Sequence, residues 1–408
     1  MPNYLTPGIY VEEISTGPRP IGMVGTSTAA FLGVAPDKNK NINQAIACNN
    51  WGEFCKFFIG DDSKSTDLSN AVFSFFNQGG SRCYIVNVGE NGSIAGDVRN
   101  RSGIYALDPI DEIAIVAAPG FSDPISYEAL LAHCEKLRDR FCILDAPAIV
   151  NNIDSLKELN VIASKDPEST KEENPKKGAG NASKGLRPRN SDGGFGAFYF
   201  PWYRGKDPLE PNTLVNMPPS GAIAGIYART DATRGVHKAP ANEIVRGALG
   251  LTYDVTQAEQ GELNRLGVNV IRHIGQAIRV WGARTLVDEA SEWRYVPVRR
   301  TLLMTEESIE KGLLWSVFEP NDLTTWKSIE RDVRLFLMRL WRNGALQGTT
   351  PEQAFFVKCD AETNSPEIID AGQLIVEIGV APVKPAEFII IRIGLGASET
   401  ESTTTVGA

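Results

Sequence analysis

Ile113-Ala114-Ile115-Val116 is followed by Pro119-Gly120, by a helical pattern that opens near Ser126 and runs to Arg140, and by Phe141-Cys142-Ile143-Leu144-Asp145. Two short apolar runs around an amphipathic segment form a strand, helix, strand unit. Strands apolar at every position and joined by such a crossover pair in parallel, in a sheet covered on both faces. Asp145 then sits at the carboxyl end of its strand, where open α/β sheets often place ligands.

Working outward, residues 165–194 change character: lysines, glutamates, Pro167, Pro175, Pro188 and several glycines offer little to anchor a core, which predicts a solvated insertion. Order resumes at Phe198-Tyr199-Phe200-Pro201-Trp202-Tyr203, a predicted strand, and Pro219-Ser220-Gly221 opens a helix. Upstream, Ala30 to Val34 and Cys83 to Val88 read as strands, and Leu68 to Gln78 as a helix closed by Gly79-Gly80. The first twenty residues form a predicted extended arm, because Pro2, Pro7, Pro18 and Pro20 forbid a helix while Gly8 to Ile14 has strand character.

Downstream, Thr256 and Glu259 have capping-box spacing, and Gly267 ends the helix they start. Strands are predicted around Ile278 to Trp281 and Trp293 to Val298, helices over 305–317 and 325–343, and two last strands at Gln373 to Val380 and Glu387 to Ile393. The fold class is α+β with an α/β middle part. Its expected organisation is an arm over 1–20, an outer and middle domain over 21–261 with the flexible insertion near 165–194, an inner domain over 262–393, and a loose polar tail over 394–408. The length of 408 residues suits several such parts.

The net charge of -9 and pI near 5.1 provide no global basic field for nucleic acid or anionic lipid. The most apolar run, Phe388 to Ile393, is strand length and interrupted by Arg392, so no membrane span is expected. No signal peptide is read at the amino terminus, and synthesis in the cytoplasm is the expectation. The six cysteines contain no C-x-x-C pair and read as buried thiols. His133, His237 and His273 lack metal-ligand spacing, and phosphate-loop, dinucleotide and nucleophile-elbow motifs are missing, so no cofactor is expected. One enzymatic reading survives: Asp145 at the sheet edge, with Ser220 or His237 beside it. The alternative for Asp145 is a turn cap.

Two signals point elsewhere. On the helix from Trp326 to Asn343, residues Trp326, Ile329, Val333, Phe336, Leu337 and Leu340 share an arc of about 100°, while Lys327, Arg331, Arg334 and Arg342 share a separate arc of about 80°. This basic stripe is either a solvated face or a docking surface for an acidic partner. The chain ends carry strands beside proline-rich connections, so they pair within the chain or at the sheet edge of another copy.

The opening Tyr4-Leu5-Thr6-Pro7-Gly8-Ile9-Tyr10-Val11-Glu12-Glu13-Ile14, with Pro20-Ile21 and Thr26-Ser27-Thr28-Ala29-Ala30-Phe31-Leu32-Gly33, resembles the amino-terminal signature of contractile tail sheath proteins of phages and of phage-tail-like injection systems. Tyr199-Phe200-Pro201-Trp202, Pro218-Pro219-Ser220-Gly221, Gly267 to Arg272, Val280-Trp281-Gly282-Ala283-Arg284-Thr285-Leu286 and Pro382 to Ile393 are similar too. The resemblance implies a multidomain sheath fold with extended terminal arms and a structural rather than enzymatic role. Identical copies would stack as rings, sixfold in the family, into a helical homopolymer around an inner tube, bounded by baseplate and terminator proteins. Collective shortening would drive the tube through a target envelope, as part of a virion tail or an injection particle assembled in the bacterial cytoplasm. It further implies strand exchange through Ile9, Tyr10, Val11 and Ile14 at one end and Leu374, Val376, Ile378, Phe388, Ile390 and Ile391 at the other. Lys327, Arg331, Arg334 and Arg342 would face the tube. A polymer that never contracts is the remaining structural alternative.

Overall fold

A computed structural model describes residues 20–61, 63–160 and 185–388 of the chain. In chain order these form β1 (Ala29–Gly33), β2 (Ala45–Cys48), α1 (Trp51–Phe58), α2 (Asp67–Gln78), β3 (Cys83–Asn87), β4 (Ile115–Ala117), α3 (Pro124–Leu137), β5 (Phe141–Asp145), β6 (Gly196–Phe200), β7 (Tyr203–Lys206), β8 (Leu214–Met217) and α4 (Pro219–Arg234). They continue with β9 (Glu243–Ile244), β10 (Gly250–Leu251), α5 (Gln257–Arg265), β11 (Val268–Ile274), β12 (Ala277–Val280), α6 (Val296–Gly312), α7 (Leu323–Arg342), α8 (Pro351–Ala354), β13 (Phe355–Lys358), α9 (Pro366–Asp370) and β14 (Glu377–Val380).

The unit read from residues 113–145 lies at the centre of a sheet ordered β2-β3-β1-β4-β5-β6-β11-β12-β9, in which β3, β1, β4, β5, β6 and β11 run parallel. Every residue of β1, β4, β5 and β6 is buried, as a sheet covered on both faces requires. Helix α2 opens on a Thr66/Ser69 capping box and closes on Gly79 in the left-handed conformation, as the glycine pair implied. It packs directly on α4, because Gly221 and Gly225 present no side chain there: a Cβ at Gly221 would lie 2.2 Å from the Ala71 carbonyl oxygen.

Several expectations change. The aromatic run around Pro201 splits: β6 ends at Phe200 and stays in the large sheet, whereas β7 pairs with β8 and β10 in a separate three-stranded sheet. Proline has no N–H for a ladder, so a break there is natural. Trp293 to Val298 is not a strand. It is a loop, bridged through Tyr295 to Arg284, that enters α6 at Val296 with Pro297 in the first turn, where proline suits a helix. The helix predicted over 305–317 therefore starts earlier and stops at Gly312, followed by a tight 3-10 turn over Leu314–Ser316. Helix α1 was not anticipated. The insertion's carboxyl-terminal end is not loosely solvated, since Arg187 and Ser191 are buried; residues 161–184 lie outside the described residues. The sheet also runs through the expected division at 261/262, because β11 pairs with β6. The hydrophobic core divides later, near Leu303 and Met304.

The smaller core gathers Ile21, Met304 and the apolar face of α7 (Ile329, Val333, Phe336, Leu337 and Leu340) with Phe355 and Val357 of β13. These α7 residues are those read from its helical period, so that period correctly identified the buried face.

Candidate assembly surfaces

The first surface begins where the amino-terminal segment enters the described structure. Ile21 is buried in the smaller core, and α6 admits it because a Cβ on Gly312 would approach its side chain to 2.7 Å. Arg339 of α7 donates to the Ile21 carbonyl, and the Val24 N–H donates to Ser308 Oγ at 3.0 Å. Further along, Arg300 of α6 grips Asp231 of α4 through two hydrogen bonds of 3.0 and 2.6 Å. The same guanidinium donates to the Thr26 carbonyl at 2.9 Å and lies 4.5 Å from the Tyr227 ring centre, while Thr26 Oγ1 donates to Asp231 at 2.6 Å. A bidentate buried pair with a further donor on a backbone carbonyl is an arrangement in which such a pair holds geometry. Residues 21–26 are thus strapped across α4, α6 and α7.

The carboxyl-terminal segment has an equivalent root. Glu387 accepts from Arg284 Nε at 3.0 Å and Nη2 at 2.7 Å, from Asn264 at 2.6 Å and from the Tyr295 hydroxyl at 3.2 Å. Burial pushes its carboxyl up, but the hydrogen bonds from Arg284 and Asn264 together outweigh this and hold it below the usual carboxylate range. The next residue, Phe388, is 73 % exposed. It is the last described residue and one of the predicted exchange positions; Ile390 and Ile391, like Ile9, Tyr10, Val11 and Ile14, lie outside the described residues.

Between these roots is an antiparallel ribbon, with Phe355 to Lys358 paired residue for residue against Val380 to Glu377. Among the described residues neither strand has a second partner strand, so both outer edges present unpaired backbone. Gly379 lies opposite Phe356, and a Cβ there would come within 2.1 Å of its ring, so glycine lets the exposed aromatic lie across the ribbon. Part of the expected exchange set already has partners within its own chain. Ile378 pairs with Val357 of its own chain, and Leu374 and Val376 precede β14 and pack half-buried on the smaller core. Only Glu377–Val380 of the predicted strand forms, because α9 and the left-handed Gly372 occupy the approach to it.

The third surface is the basic side of α7. Lys327, Arg331, Arg334 and Arg342 are all exposed and lie along one side as read from the sequence. Lys327 pairs with Glu330 at 2.6 Å, Arg331 with Asp332 at 3.1 Å and Arg334 with Glu352 at 3.6 Å, while Arg342 has no ion pair among the described residues. The Arg334–Glu352 pair is exposed on both sides and worth roughly 0.2–1 kcal/mol, whereas Asp332 is buried and holds Arg331 more firmly. A shallow groove of about 410 Å³ follows this face, with Leu335 and Met338 between the cations.

The surroundings of Asp145 do not favour the enzymatic alternative. Its carboxylate is 1 % exposed and accepts from the Ser220 N–H at 2.7 Å, the Ser220 hydroxyl at 2.6 Å and the Gly120 N–H at 3.4 Å. Burial, only partly offset by these hydrogen bonds, raises its pKa to about 7. Asp145 and Ser220 do meet, but as a cap: α4 begins at Pro219 without a side-chain cap of its own, and Asp145 supplies the missing acceptor. His237 lies beyond the other end of α4, about 24 Å away at 1.5 Å per residue. The three form no catalytic constellation.

Arg300 and Asp231 escaped the sequence reading, because an arginine buried by a partner far along the chain has no local signature. Arg284 and Glu387 do fall within stretches that carried the family resemblance.

Residues 105–286 match the family model described as the phage tail sheath protein central domain, and residues 288–395 match the phage tail sheath C-terminal domain. Among curated proteins, the tail sheath protein of Vibrio phage KVP40 is 26 % identical over 195 residues, covering 47 % of this chain and 28 % of the relative. That of Escherichia phage P2 is 27 % identical over 175 residues, covering 41 % and 42 % respectively. The matched stretches thus span less than half the length of these curated relatives. Among solved structures, the sheath complex of the extracellular contractile injection system PVC in its contracted state aligns with a TM-score of 0.77 at 29 % identity, over 97 % of this chain and 99 % of the other. The contracted helical sheath of the anti-feeding prophage aligns with a TM-score of 0.73 at 29 % identity, over 96 % and 100 %.

Proposed function

Because the chain belongs to the phage tail sheath family, we propose that it is the structural subunit of a contractile sheath, which polymerises as stacked rings around an inner tube and shortens to drive the tube through a target envelope. The observation that carries this reading is the near-complete alignment with sheath subunits in their contracted state. The site geometry supports it independently, since two chain ends are rooted by buried charge pairs beside a ribbon with open edges.

In this reading residues 9–14 and 388–391 leave their own molecule and add strands to the β13–β14 ribbon of neighbouring copies, so the ribbon is the acceptor. Backbone pairing at an edge supplies affinity, and a repeated contact that does not close on itself gives an open helical assembly. Ring symmetry is sixfold, baseplate and terminator proteins bound the polymer, and assembly takes place in the bacterial cytoplasm. The α7 face with Lys327, Arg331, Arg334 and Arg342 rests on the tube; weak, screened contacts suit a surface that must release collectively. Contraction follows from a metastable extended lattice relaxing to one that buries more surface, with no bound fuel.

Electron microscopy of the purified full chain at high concentration tests the reading. Hollow ribbed cylinders are the expected outcome, and dispersed single molecules at every concentration contradict it.

A further inference from the structure

At the amino-terminal edge of the parallel strands, opposite to Asp145, Arg299 of α6 enters the protein and is 5 % exposed. Its guanidinium is held between two aromatic rings, 4.1 Å from the Phe195 ring centre and 4.8 Å from that of Trp293. Its Nε is buried without a hydrogen-bond partner, and among the described residues its nearest counter-charge is Glu306 at 3.9 Å, outside hydrogen-bond range. Both rings lie against the guanidinium while its Nε lacks an acceptor, and a planar fork of this kind matches a carboxylate. A buried cation without an in-plane acceptor is costly, so an acceptor from outside the chain would stabilise it.

The side chain opens into a cleft of about 580 Å³ that Arg138 also lines. Asp192, Asp288 and Glu306 stand around the same cleft. Three carboxylates disfavour a polyanion such as phosphate or nucleic acid, but tolerate a single carboxylate that brings a cation with it. In a lattice of identical chains, each with 50 acidic residues, the nearest abundant source is another copy.

We propose that this cleft receives an aspartate or glutamate side chain of a neighbouring copy, carried beside a lysine or arginine, with the carboxylate on the Arg299 guanidinium in place of Glu306 and the cation beside Asp192 and Asp288. The choice of a neighbouring copy rests on the assembly reading above; the carboxylate site itself does not.

Dispersed full-length chain, titrated with N-acetyl-Glu-Lys-amide and followed by tryptophan emission, should show a saturable change that is absent when Trp293→Phe replaces the reporting ring. N-acetyl-Gln-Lys-amide and inorganic phosphate should bind at least tenfold more weakly. Arg299→Lys, which keeps the charge but loses the fork, should weaken the glutamyl peptide at least tenfold. Glu306→Gln, which removes the resident competitor, should tighten it severalfold. No glutamyl preference in either the wild type or Glu306→Gln overturns the site. If the peptide binds but Arg299→Lys polymers resist denaturant as well as wild type, the neighbouring copy is the wrong source and a free carboxylate is the ligand. Polymers of Arg299→Lys that dissolve at lower denaturant support the full proposal. A wild-type chain that never polymerises defeats the assembly reading and with it the neighbouring copy, while the peptide titration still decides the carboxylate site.

Discussion

The cap at Asp145 and the roots at Arg284 and Arg300 are built from the same materials, buried charges with hydrogen bonds, but stand in opposite surroundings. Around Asp145 the chain completes itself: the acceptor, the helix end it caps and the strands beside it all lie within the large sheet and its covering helices. Around α6, α7 and the β13–β14 ribbon it does not. There the core is small, the ribbon has open edges, and Phe356 and Phe388 face outward. In the proposed assembly the first region needs no neighbour, whereas the second gains its remaining contacts from other copies.

Separating root from core gives the largest expected effect. Glu387→Ala leaves Arg284 buried without its carboxylate and frees the carboxyl-terminal segment. The expected outcome is loss of long polymers in sedimentation, with a cost to the isolated subunit of about 3 kcal/mol in urea unfolding, the low end for a broken buried pair. Normal polymers would show that the root does not position the segment.

Next comes the closed region. Asp145→Ala leaves the Ser220 and Gly120 donors without their acceptor and should cost about 2 kcal/mol, seen as a lower unfolding midpoint of the dispersed subunit. The same group has a pH signature. Its native pKa of about 7 lies above the ordinary 3.8, so the folded state binds more protons between about pH 4 and 7, and this contribution to stability falls as pH rises through that window. His133 opposes it: burial, with Arg140 beside it, lowers its pKa to about 4, so its contribution is lost as pH falls from about 6.5 to 4. Relative to wild type, urea midpoints of Asp145→Asn should therefore climb more, or fall less, from pH 4.5 to 6.5, and those of His133→Gln should shift in the opposite sense over the same range. Identical profiles would remove both assignments.

The smallest effect on folding belongs to the stripe. Arg334→Gln with Arg342→Gln should change subunit stability by no more than about 0.5 kcal/mol, because both side chains are exposed and the Arg334–Glu352 pair is exposed on both sides. Co-sedimentation with the inner tube should nevertheless weaken, and unchanged co-sedimentation would take the tube away from α7.

Regions governed by local periodicity were legible in the sequence. The runs at 113–116 and 141–145, the glycine stop after α2, the Thr256 capping box and the buried face of α7 each follow from a repeat or a cap within a few residues. Pro297 misled, since a proline between two valines suits a strand edge as well as a first helical turn, and only the surroundings choose. The roots were illegible for a different reason: Arg300 and Thr26, or Arg284 and Glu387, meet only once the whole chain has folded. Asp145 was correctly located, but whether it caps or catalyses depended on its burial and on where His237 lies.

Hydrogen exchange at residues 355–358 and 377–380 tests the central claim most directly. In the full chain at polymerising concentration, the outward-facing N–H groups of the ribbon should become strongly protected, while in the dispersed chain and in a chain lacking residues 1–14 part of that protection should be missing and β4, β5 and β6 remain unchanged. Equal protection of the ribbon in all three samples would mean that its edges are never completed by a neighbour, and the account of assembly would fail.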